Sequence, residues 1–404
     1  MRKTNIDWAP FIPDNWDIVR LKDIARLQSG EGITSNDIDE VGDYHVYGGN
    51  GLRGYADAYT NDGSYVLIGR QGALCGNINY AKGKFYASEH AVVVYTHDKH
   101  ENTTWLGETL RMANFNRLSA SAAQPGLAVS ALNIQTIPYP PQNIRQRIGV
   151  YLDENLGKID ARIVILEKQQ DAYARLKRSV IHHAVTRGLD PNVSLKDSGV
   201  EWIGMIPENW EVKRIKELCS FVSRGATPNY VDEGEYKVMN QAVFSTGNLN
   251  HKVVRYSSYM KSESQIKKGD LLIASTGGGV LGKLYFFDDE DLNFYADTHV
   301  TIIRSDKGLF CVKFLFYLLF YQFDMINACM AKGSTNQTEL QRDCLLSYDL
   351  AIPSLVEQQA IIAYLDEKCA KINAATENIG KQIEALKRLK RALINEVVTG
   401  QRAV

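Results

Sequence analysis

The sequence lacks several features that mark common classes of protein. Its net charge is only -1, so overall charge indicates no nucleic-acid partner and such contacts must come from local patches. Its six cysteines stand singly, without the paired spacing of a zinc or redox site, and we expect reduced thiols. The most apolar run, 314–323, is too short to cross a bilayer, and residues 1–16 contain no hydrophobic signal region. We therefore expect a cytoplasmic protein with no membrane partner.

Motifs of catalysis are also missing. There is no Asn-Pro-Pro-Tyr or Asp-Pro-Pro-Tyr of an amino-methyltransferase and no glycine motif for S-adenosylmethionine. Gly49, Gly51 and Gly54 fit Gly-x-Gly-x-x-Gly, but turn-rich sequence follows them where a nucleotide-binding fold needs a helix. His90 and His299 occupy matched positions without further ligands at metal spacing, which favours histidines at the edge of a core. The expectation is a chain without catalytic residues, a metal site or a cofactor of its own.

What the sequence does contain is a long amphipathic helix that occurs twice, at 142–188 and 354–400. Each is on the order of 40 residues, or roughly 60 Å. A capping box of Ser354 and Glu357 is expected at the start of the second helix, and a left-handed stop at Gly188 ends the first. The seven-residue spacing of apolar residues indicates a coiled-coil seam. The seam consists of Leu152, Ile159, Leu166, Tyr173 and Val180 in the first helix and Leu365, Ile372, Ile379, Leu386 and Leu393 in the second, with Leu156, Ile163, Cys369, Ile383 and Val397 between them.

The repeat extends beyond the helices to the whole chain. Matched residues include Trp8, Pro13, Asn15 and Trp16 with Trp202, Pro207, Asn209 and Trp210; Phe85, Tyr86, Ala87 and His90 with Phe294, Tyr295, Ala296 and His299; and Ser121, Gln124, Leu127, Leu132 and Pro140 with Ser334, Gln337, Leu340, Leu345 and Pro353. The chain is thus two copies of about 200 residues. Each copy consists of an opening tryptophan segment, a globular unit and the long helix.

The globular units have the pattern of an α+β fold. Strands are predicted at 65–68, 91–95, 270–274 and 298–304, and helices at 105–118 and 312–330. We expect a curved, mostly antiparallel sheet with helices on one side. Loops such as 48–55 and 240–248 hardly match between the copies. The two copies therefore share a scaffold and differ in what they contact.

Three segments carry a resemblance to a known family. They are the run DSGVEWIGMIPENWEVKRI at 197–215, the Tyr-Leu-Asp that begins at Tyr151 and again at Tyr364, and AVTRGL at 184–189. These segments resemble the conserved regions of the specificity subunit of type I restriction-modification systems. The resemblance covers essentially the whole chain, in order and twice over.

The resemblance implies a non-catalytic subunit that reads an asymmetric, bipartite sequence in double-stranded DNA through two target recognition domains. It further implies that the long helices and neighbouring segments dock two adenine-N6 methyltransferase subunits, and that restriction subunits join the larger complex. S-adenosylmethionine, ATP and Mg²⁺ would then belong to those partners. One departure is visible, because Glu357 and Gln358 precede the second Tyr-Leu-Asp whereas Ile144 and Arg145 precede the first. The two helices are therefore not expected to begin with equivalent contacts.

Two similar halves that pair through a common seam are most simply related by a pseudo-twofold axis, which makes the helices antiparallel. We expect an α+β protein with two tandem α/β target recognition domains in pseudo-twofold symmetry, separated by two long antiparallel coiled-coil helices. The length of the helices would fix the gap between half-sites. The expected boundaries are 1–19 for an N-terminal conserved segment, 20–140 for recognition domain 1, 141–188 for the first helix, 189–213 for a linker repeating the N-terminus, 214–352 for recognition domain 2 and 353–404 for the second helix.

The unmatched loops, together with residues near them, supply the candidate DNA-binding residues. Glycine turns allow close backbone approach, and the forked side chains of arginine and glutamine suit bidentate contacts with base edges. A solvated arginine or a turn asparagine remains the alternative for each. The candidates are Arg53, Tyr55, Arg70, Gln71 and Gln124 in the first copy and Thr227, Asn229, Tyr230, Ser275, Thr276, Lys283, Asn336 and Gln337 in the second.

The matched segments supply candidates for the partner interface, namely Trp8, Trp16, Trp202, Trp210, Tyr151 and Tyr364. The tryptophans have an alternative role, which is to pack their own segment under the helix ends. Basic residues of the helices form a solvated face, complement the helix dipoles or bind DNA phosphates, and we hypothesise phosphate contacts for some of them. These residues are Arg175, Lys177 and Arg178, matched by Arg388, Lys390 and Arg391.

Two other functional classes compete with DNA recognition. A stand-alone nuclease or methyltransferase requires catalytic motifs that the sequence does not contain. A coiled-coil adaptor without DNA binding would account for the helices but leaves the divergence of loops between matched domains unexplained. An accessory subunit that reads DNA accounts for both features.

Overall fold

The computed structural model describes residues 1–72, 74–119, 126–277, 279–291, 293–306, 308, 310–322, 331–332 and 339–404. The chain forms two compact units. Residues 1–168 and 379–404 make up the first unit, and residues 169–378 make up the second.

The described part of the chain contains the following elements. The strands of the first copy are β1 (Arg2–Lys3), β2 (Phe11–Ile12), β3 (Asp17–Arg20), β4 (Ala25–Ser29), β5 (Tyr44–Gly48), β6 (Gly51–Ala56), β7 (Asn61–Gly69), β8 (Ile78–Ala87), β9 (Ala91–Thr96) and β10 (Thr136–Tyr139). The strands of the second copy are β11 (Leu195–Asp197), β12 (Met205–Pro207), β13 (Glu211–Arg214), β14 (Phe221–Arg224), β15 (Tyr230–Val231), β16 (Tyr236–Met239), β17 (Arg255–Ser257), β18 (Leu271–Ala274), β19 (Leu284–Phe286), β20 (Phe294–Ala296), β21 (Val300–Arg304), β22 (Ala331–Lys332), β23 (Glu339–Leu340) and β24 (Asp349–Ile352). The α-helices are α1 (Leu21–Ile24), α2 (Thr103–Ala113), α3 (Val129–Asn133), α4 (Gln142–Arg187), α5 (Ile215–Leu218), α6 (Gln241–Phe244), α7 (Val312–Tyr321), α8 (Arg342–Leu346) and α9 (Leu355–Val398).

The first unit is built on one six-stranded sheet in the order β4-β9-β7-β8-β5-β6. All neighbours are antiparallel except β5 and β8. Val66 and Ile68 of β7 pack in one core with Trp105 of α2, while Leu67 packs with Phe85 on the opposite face. Residues 66–69 at the end of β7 are all apolar and do not alternate with polar residues, because both faces of the sheet are buried there. The predicted antiparallel sheet with its helix on one side is confirmed for this unit.

The second unit divides the corresponding strands between two four-stranded sheets, β14-β21-β18-β19 and β15-β17-β16-β20. Where the first unit has the continuous strand β8, the second has β19 and β20 with the acidic run Asp-Asp-Glu-Asp at 288–291 between them. Acidic residues are unfavourable in strands, so this run interrupts the pairing. Val243 and Phe244 of α6 pack against Leu272 and Ile302, on the face of the sheet opposite α7. The expectation of helices on one side is therefore wrong for this unit.

The two long helices α4 and α9 confirm the predicted coiled-coil seam, since each residue assigned to it is buried or half-buried. They run antiparallel within each unit. In the first unit Lys390 Nζ lies 2.7 Å from Asp160 Oδ1, and in the second Lys177 Nζ lies 2.9 Å from Asn373 Oδ1. In each unit, the beginning of one helix and the end of the other contribute to the same core.

The ends of these helices follow the sequence signals in part. Gly188 adopts the left-handed conformation with φ of 74° and stops α4 as expected. Gly400, with φ of 72°, follows the end of α9 in the same conformation. The amide of Glu357 donates to Ser354 Oγ at 3.3 Å, which is one half of the predicted capping box. The other half, a hydrogen bond from the Ser354 amide to the Glu357 carboxylate, is a wrong prediction. The Glu357 carboxylate accepts the indole N–H of Trp210 instead.

The shorter elements agree with the predictions to within a few residues. The four predicted strands coincide with β7, β9, β18 and β21. The helix predicted at 105–118 begins earlier and ends at Ala113, because Asn114 is left-handed with φ of 48°, and a 3₁₀ turn follows at Phe115–Leu118. The helix predicted at 312–330 is observed as α7 up to Tyr321, and residues 323–330 lie outside the described residues.

Candidate DNA interface

In the first unit, the turn between β5 and β6 lies against the segment that follows β7. A Cβ atom on Gly49 would come within 2.7 Å of the Gln71 carbonyl oxygen, and one on Gly69 within 2.0 Å of the Gly49 carbonyl oxygen. Distances this short admit glycine alone. Across the same contact, Asn77 Nδ2 donates to Asn50 Oδ1 at 3.2 Å. The two loops predicted to read DNA therefore form one continuous surface.

Arg53 and Gln71 are exposed on this surface. The stem of Arg53 lies across Gly48, where an added Cβ would meet Arg53 Cδ at 2.4 Å. Tyr55, further along β6, is half-buried and packs on His45 with ring centroids 5.0 Å apart. The structure thus gathers Arg53 and Gln71 around one turn and places Tyr55 beside them. An exposed guanidinium and an exposed amide at one site have the donors and acceptors to contact base edges.

Arg70 does not extend from this surface in the same way. It is half-buried, its Nε donates to the Leu127 carbonyl at 3.3 Å, and its Nη1 donates to Ser29 Oγ at 3.3 Å. The next residue, Gln71, pairs through its backbone with Gly126 in an isolated bridge. Arg70 therefore ties the segment after β7 to the segment that returns at 126–127.

The second unit repeats this backbone arrangement with different side chains. The amide of Leu340 donates to the Ser275 carbonyl at 2.9 Å, as the amide of Leu127 donates to the Arg70 carbonyl at 2.9 Å. Ser275 is completely buried, and its Oγ lies 2.5 Å from Thr301 Oγ1. The side chain of Ser275 is consequently not part of the exposed surface on which it was predicted.

The neighbouring candidates of the second unit remain accessible. Thr276 is half-buried and its hydroxyl lies 2.7 Å from His299 Nδ1, and Lys283 is half-buried on the turn that follows. The backbone of Thr276 pairs with Glu339 in an isolated bridge. Thr276 therefore stands in the second unit where Gln71 stands in the first.

A second group of candidates, Thr227, Asn229 and Tyr230, is exposed at and before β15. The guanidinium carbon of Arg255 lies 3.5 Å above the centre of the Tyr230 ring. A cation held flat on an aromatic face has its orientation restricted before any ligand binds. Partial burial of this side chain, together with the nearby Asp297 carboxylate, raises the pKa of Tyr230. The stack presents a fixed guanidinium fork and a hydroxyl donor side by side.

Two arginines of this region were not predicted from the sequence. Arg255 belongs to the short strand β17, which lacks the glycine turn that marked the other candidates. Arg224 ends β14 and donates from Nη2 to the Leu340 carbonyl at 3.2 Å. The available signal for Arg224 was its place directly before Gly225, which matches Ser29 before Gly30 in the first copy. The predicted residues Gln124, Asn336 and Gln337 lie outside the described residues.

The residues predicted for the partner interface separate into two groups. Trp16 and Trp210 are 5% and 0% exposed, and they pack beside Gly400 and Gly188, where the long helices end. This is the alternative in which the tryptophans pack their own segment under the helix ends. Trp202 is 39% exposed and stacks on Tyr348 with ring centroids 4.4 Å apart. Half-buried members of the predicted set are Trp8, Tyr151 and Tyr364.

The basic residues of the long helices also differ among themselves. Lys177 and Lys390 each bind a polar side chain of the other long helix, Asn373 and Asp160 respectively. Exposed side chains are those of Arg175, Arg178, Arg388 and Arg391. Within this set of basic residues, these four arginines are exposed, whereas Lys177 and Lys390 are half-buried.

Neither a metal cluster nor a membrane span occurs in the part of the chain that the structure describes. Among those residues, no group of three or more His, Cys, Asp or Glu side chains is arranged to hold a metal ion. Neither does any helix there combine the length and the apolar character needed to cross a membrane.

Comparison with known proteins identifies the family. The model of the type I restriction modification DNA specificity domain matches residues 13–175 and again residues 207–385. The chain belongs to this family. Its role is accordingly that of a DNA recognition subunit of a type I restriction-modification complex, rather than of an enzyme.

The relatives include the EcoprrI type I restriction enzyme specificity subunit of Escherichia coli, which is 40% identical over 144 residues, or 35% of each chain. The MjaVIII type I restriction enzyme specificity subunit of Methanocaldococcus jannaschii is 23% identical over 418 residues and covers 96% of this chain and 93% of its own. A chain from a solved structure on complex assembly and conformational transition of the type I R-M system covers 97% of this chain and 99% of its own, with a TM-score of 0.70 and 17% identity. This likeness confirms the tandem α+β fold with its two long helices.

Proposed function

We propose that the chain recognises an asymmetric, bipartite DNA sequence through two target recognition domains, 20–140 and 214–352, and that each domain reads one half-site. The other proposed segments are 1–19, the helix 141–188, the linker 189–213 and the helix 353–404. They form the scaffold that sets the gap between the half-sites, in a pseudo-twofold arrangement. We further propose that this scaffold docks two adenine-N6 methyltransferase subunits and, in the larger complex, restriction subunits.

The observation that carries this proposal is a matched frame with unmatched surfaces. Both units repeat the same backbone bonds after β7 and after β18. The stretch 48–55 forms a turn and strand β6, whereas the corresponding stretch 240–248 contains helix α6. Two recognition surfaces of different shape on one frame suit two different half-sites.

The chemistry of the exposed groups supports DNA as the ligand. The first surface presents Arg53 and Gln71, and the second presents the stacked pair Tyr230 and Arg255. Arginine pairs with two acceptors of guanine and glutamine pairs with adenine in the major groove. Since the net charge is -1, recognition depends on these local groups rather than on a general basic surface.

Docking of methyltransferase subunits is supported by exposed aromatic groups on the scaffold. Trp202, stacked on Tyr348, combines an apolar face with a fixed orientation, as residues that dominate interface energies do. Tyr151 and Tyr364 begin the repeated Tyr-Leu-Asp and are half-buried. S-adenosylmethionine, ATP and Mg²⁺ are assigned to the partner subunits in this proposal.

The test is to co-express the chain with its methyltransferase partner and to map methylated adenines across genomic DNA by single-molecule sequencing. A split motif with a fixed gap is expected, and its presence should depend on this chain. Arg53→Ala should alter only one half of the motif and Arg255→Ala only the other. Arg26→Ser, which removes an exposed arginine of β4 outside the recognition surface, is the matched control. The absence of both methylation and sequence-selective binding would favour the adaptor without DNA binding.

A further inference from the structure

The strands that lead into the two recognition surfaces end at equivalent positions. The amide of Gly30 donates to the Ala91 carbonyl at 2.9 Å, and the amide of Gly225 donates to the Val300 carbonyl at 3.0 Å. These bonds bring the ends of β4 and β14 into register. Ser29 of the first unit therefore corresponds to Arg224 of the second.

The segments that follow β7 and β18 are equivalent as well. The amide of Arg70 donates to the His90 carbonyl at 2.8 Å, and the amide of Ser275 donates to the His299 carbonyl at 2.8 Å. Arg70 of the first unit therefore corresponds to Ser275 of the second. Across the two units, serine and arginine have exchanged places.

Although serine and arginine have changed places, a guanidinium binds an equivalent carbonyl oxygen in both units. Arg70 donates from Nε to the Leu127 carbonyl at 3.3 Å, and Arg224 donates from Nη2 to the Leu340 carbonyl at 3.2 Å. Leu127 and Leu340 are equivalent, because their amides donate to equivalent carbonyls. The amide of Leu127 donates to the Arg70 carbonyl after β7, and the amide of Leu340 donates to the Ser275 carbonyl after β18. One interaction is thus made twice, from two different places in the sequence.

We propose that Arg70 and Arg224 are positioning residues for DNA recognition. Each ties the returning segment, 126–127 in the first unit and β23 in the second, to the segment that presents Gln71 or Thr276. This proposal rests on the proposed function. The backbone of Gln71 pairs with Gly126, and that of Thr276 pairs with Glu339, one residue from the carbonyl that the guanidinium binds. Loss of the guanidinium therefore frees the backbone that orients the reading side chain. A lysine cannot replace it, because the planar fork of Arg70 bonds Leu127 and Ser29 at once.

The experiment transfers the arrangement of the second unit to the first. Arg70→Ser removes the guanidinium, and the double variant S29R/R70S returns it from β4. Amide exchange of the peptide containing Leu127 measures the tie, and competition between DNAs altered in one half-site measures recognition by the full-length chain. Arg70→Ser should speed exchange at Leu127 and lower discrimination at one half-site by about tenfold. The double variant should restore most of the protection from exchange at Leu127 and most of the discrimination at the half-site. Arg26→Ser should change neither of these two quantities.

Several results would overturn the inference. Exchange and discrimination that stay unchanged in Arg70→Ser would show that the guanidinium ties nothing. Equal weakening on all DNA with a shallower salt dependence would identify a phosphate contact instead of a positioning residue. A well-folded S29R/R70S variant without recovery would show that the two arrangements are not interchangeable.

Two additions keep the outcome decisive. If Arg70→Ser fails to fold, Arg70→Lys and Arg224→Ser apply the same readouts, with Leu340 as the probe in the second unit. If the unmodified chain discriminates between no sequences, the proposed function fails. The exchange at Leu127 then still decides whether the tie exists.

Discussion

The indole nitrogen of Trp210 donates to Glu357 Oε1 at 3.0 Å and so joins the opening segment of the second repeat to the first turn of α9. Asn209 Nδ2 donates to the other carboxylate oxygen at 3.2 Å. In the first repeat, Trp16 is buried in the matching place, but Ile144 stands where Glu357 stands. The same tryptophan position is therefore anchored by a hydrogen bond in one repeat and by packing in the other.

This difference predicts unequal effects of one substitution at two matched sites. Trp210→Phe should lower the free energy of unfolding by about 1 to 2 kcal/mol more than Trp16→Phe does, since only the former loses a bond to a carboxylate. Denaturant unfolding of the two full-length variants measures the difference. Equal losses would mean that the bond to Glu357 adds no net stability.

The buried pair of Arg145 and Glu101 gives a second prediction. Arg145 Nε lies 2.8 Å from Glu101 Oε1, with the side chains only 5% and 3% exposed. Arg145→Ala should cost about 3 to 5 kcal/mol, because it leaves the buried Glu101 carboxylate without its cationic partner, with hydrogen bonds from the Asn102 amide and the Tyr139 hydroxyl in place. The double variant R145Q/E101Q should cost less, and a double-mutant cycle from denaturant unfolding tests this.

A natural precedent for glutamine at position 145 exists in the second repeat. Gln358 Nε2 donates to the Pro353 carbonyl at 2.9 Å, as Arg145 Nη1 donates to the Pro140 carbonyl at 2.8 Å. Glutamine thus serves at the matched position without a charge. A double variant no more stable than Arg145→Ala would contradict the expected cost of an unpaired carboxylate.

Asp297 gives a prediction about pH. Its carboxylate is buried and accepts the His299 amide at 2.9 Å, and burial raises its pKa. The folded state therefore keeps a proton at Asp297 to higher pH than the unfolded state does. The ionised carboxylate lowers stability at neutral pH, and that cost disappears as the pH falls through the raised pKa.

Asp297→Asn should accordingly be more stable than the unmodified chain at pH 7, by about 1.4 kcal/mol for each unit of pKa elevation removed. The advantage should shrink on acidification, which thermal unfolding across a pH series measures. Asp297→Ser is the matched variant, because Ser88 Oγ accepts the His90 amide in the first unit. An advantage independent of pH would contradict the assignment.

The stack of Arg255 on Tyr230 predicts a graded effect on recognition. Tyr230→Ala removes the face that orients the guanidinium, an interaction worth about 0.5 to 2 kcal/mol, and should weaken discrimination at one half-site alone. Tyr230→Phe keeps the ring and should retain most of it. Competition binding with DNAs altered in either half-site measures both variants. Equal losses for the two would assign the effect to the hydroxyl instead of the stack.

The exposed arginines of the long helices predict a change that is independent of sequence. R175Q/R178Q should weaken binding to all DNA alike, and the slope of log K against log salt should fall by about 0.9 for each phosphate that is no longer neutralised. Binding titrations over a salt series measure this slope. Lys177→Gln, which loses a bond to Asn373 on the other helix, serves as the comparison. An altered target sequence would contradict the phosphate hypothesis.

The sequence was sufficient for features that rest on local periodicity. The seam of α4 and α9 follows from apolar residues at seven-residue spacing, and strands such as β7 and β9 follow from β-branched runs. Features that depend on distant residues were missed or misassigned. Glu357 has the spacing of a capping box, but Trp210, 147 residues away, takes its carboxylate. Arg224 acts on Leu340 over a separation of 116 residues, which no local pattern reveals.

The candidate site shows the same division. Arg53 and Gln71 were predicted because arginine and glutamine near glycine turns suit base readout, and both are exposed. Ser275 was selected on the same reasoning, yet the side chain turns inward to Thr301. Which way a short side chain turns depends on the neighbouring strand β21, and the sequence around Ser275 contains no information about that neighbour.

The close approach of Gly49 to Gly69 limits how this surface can evolve new specificities. Any side chain at either position would push the two loops apart, so both glycines are barred from variation while Arg53 and Gln71 beside them are open to it. A combinatorial library that randomises positions 50, 52, 53 and 71 and keeps the glycines fixed should yield many folded variants with altered targets. Libraries that include positions 49 and 69 should be dominated by sequences that have lost recognition altogether.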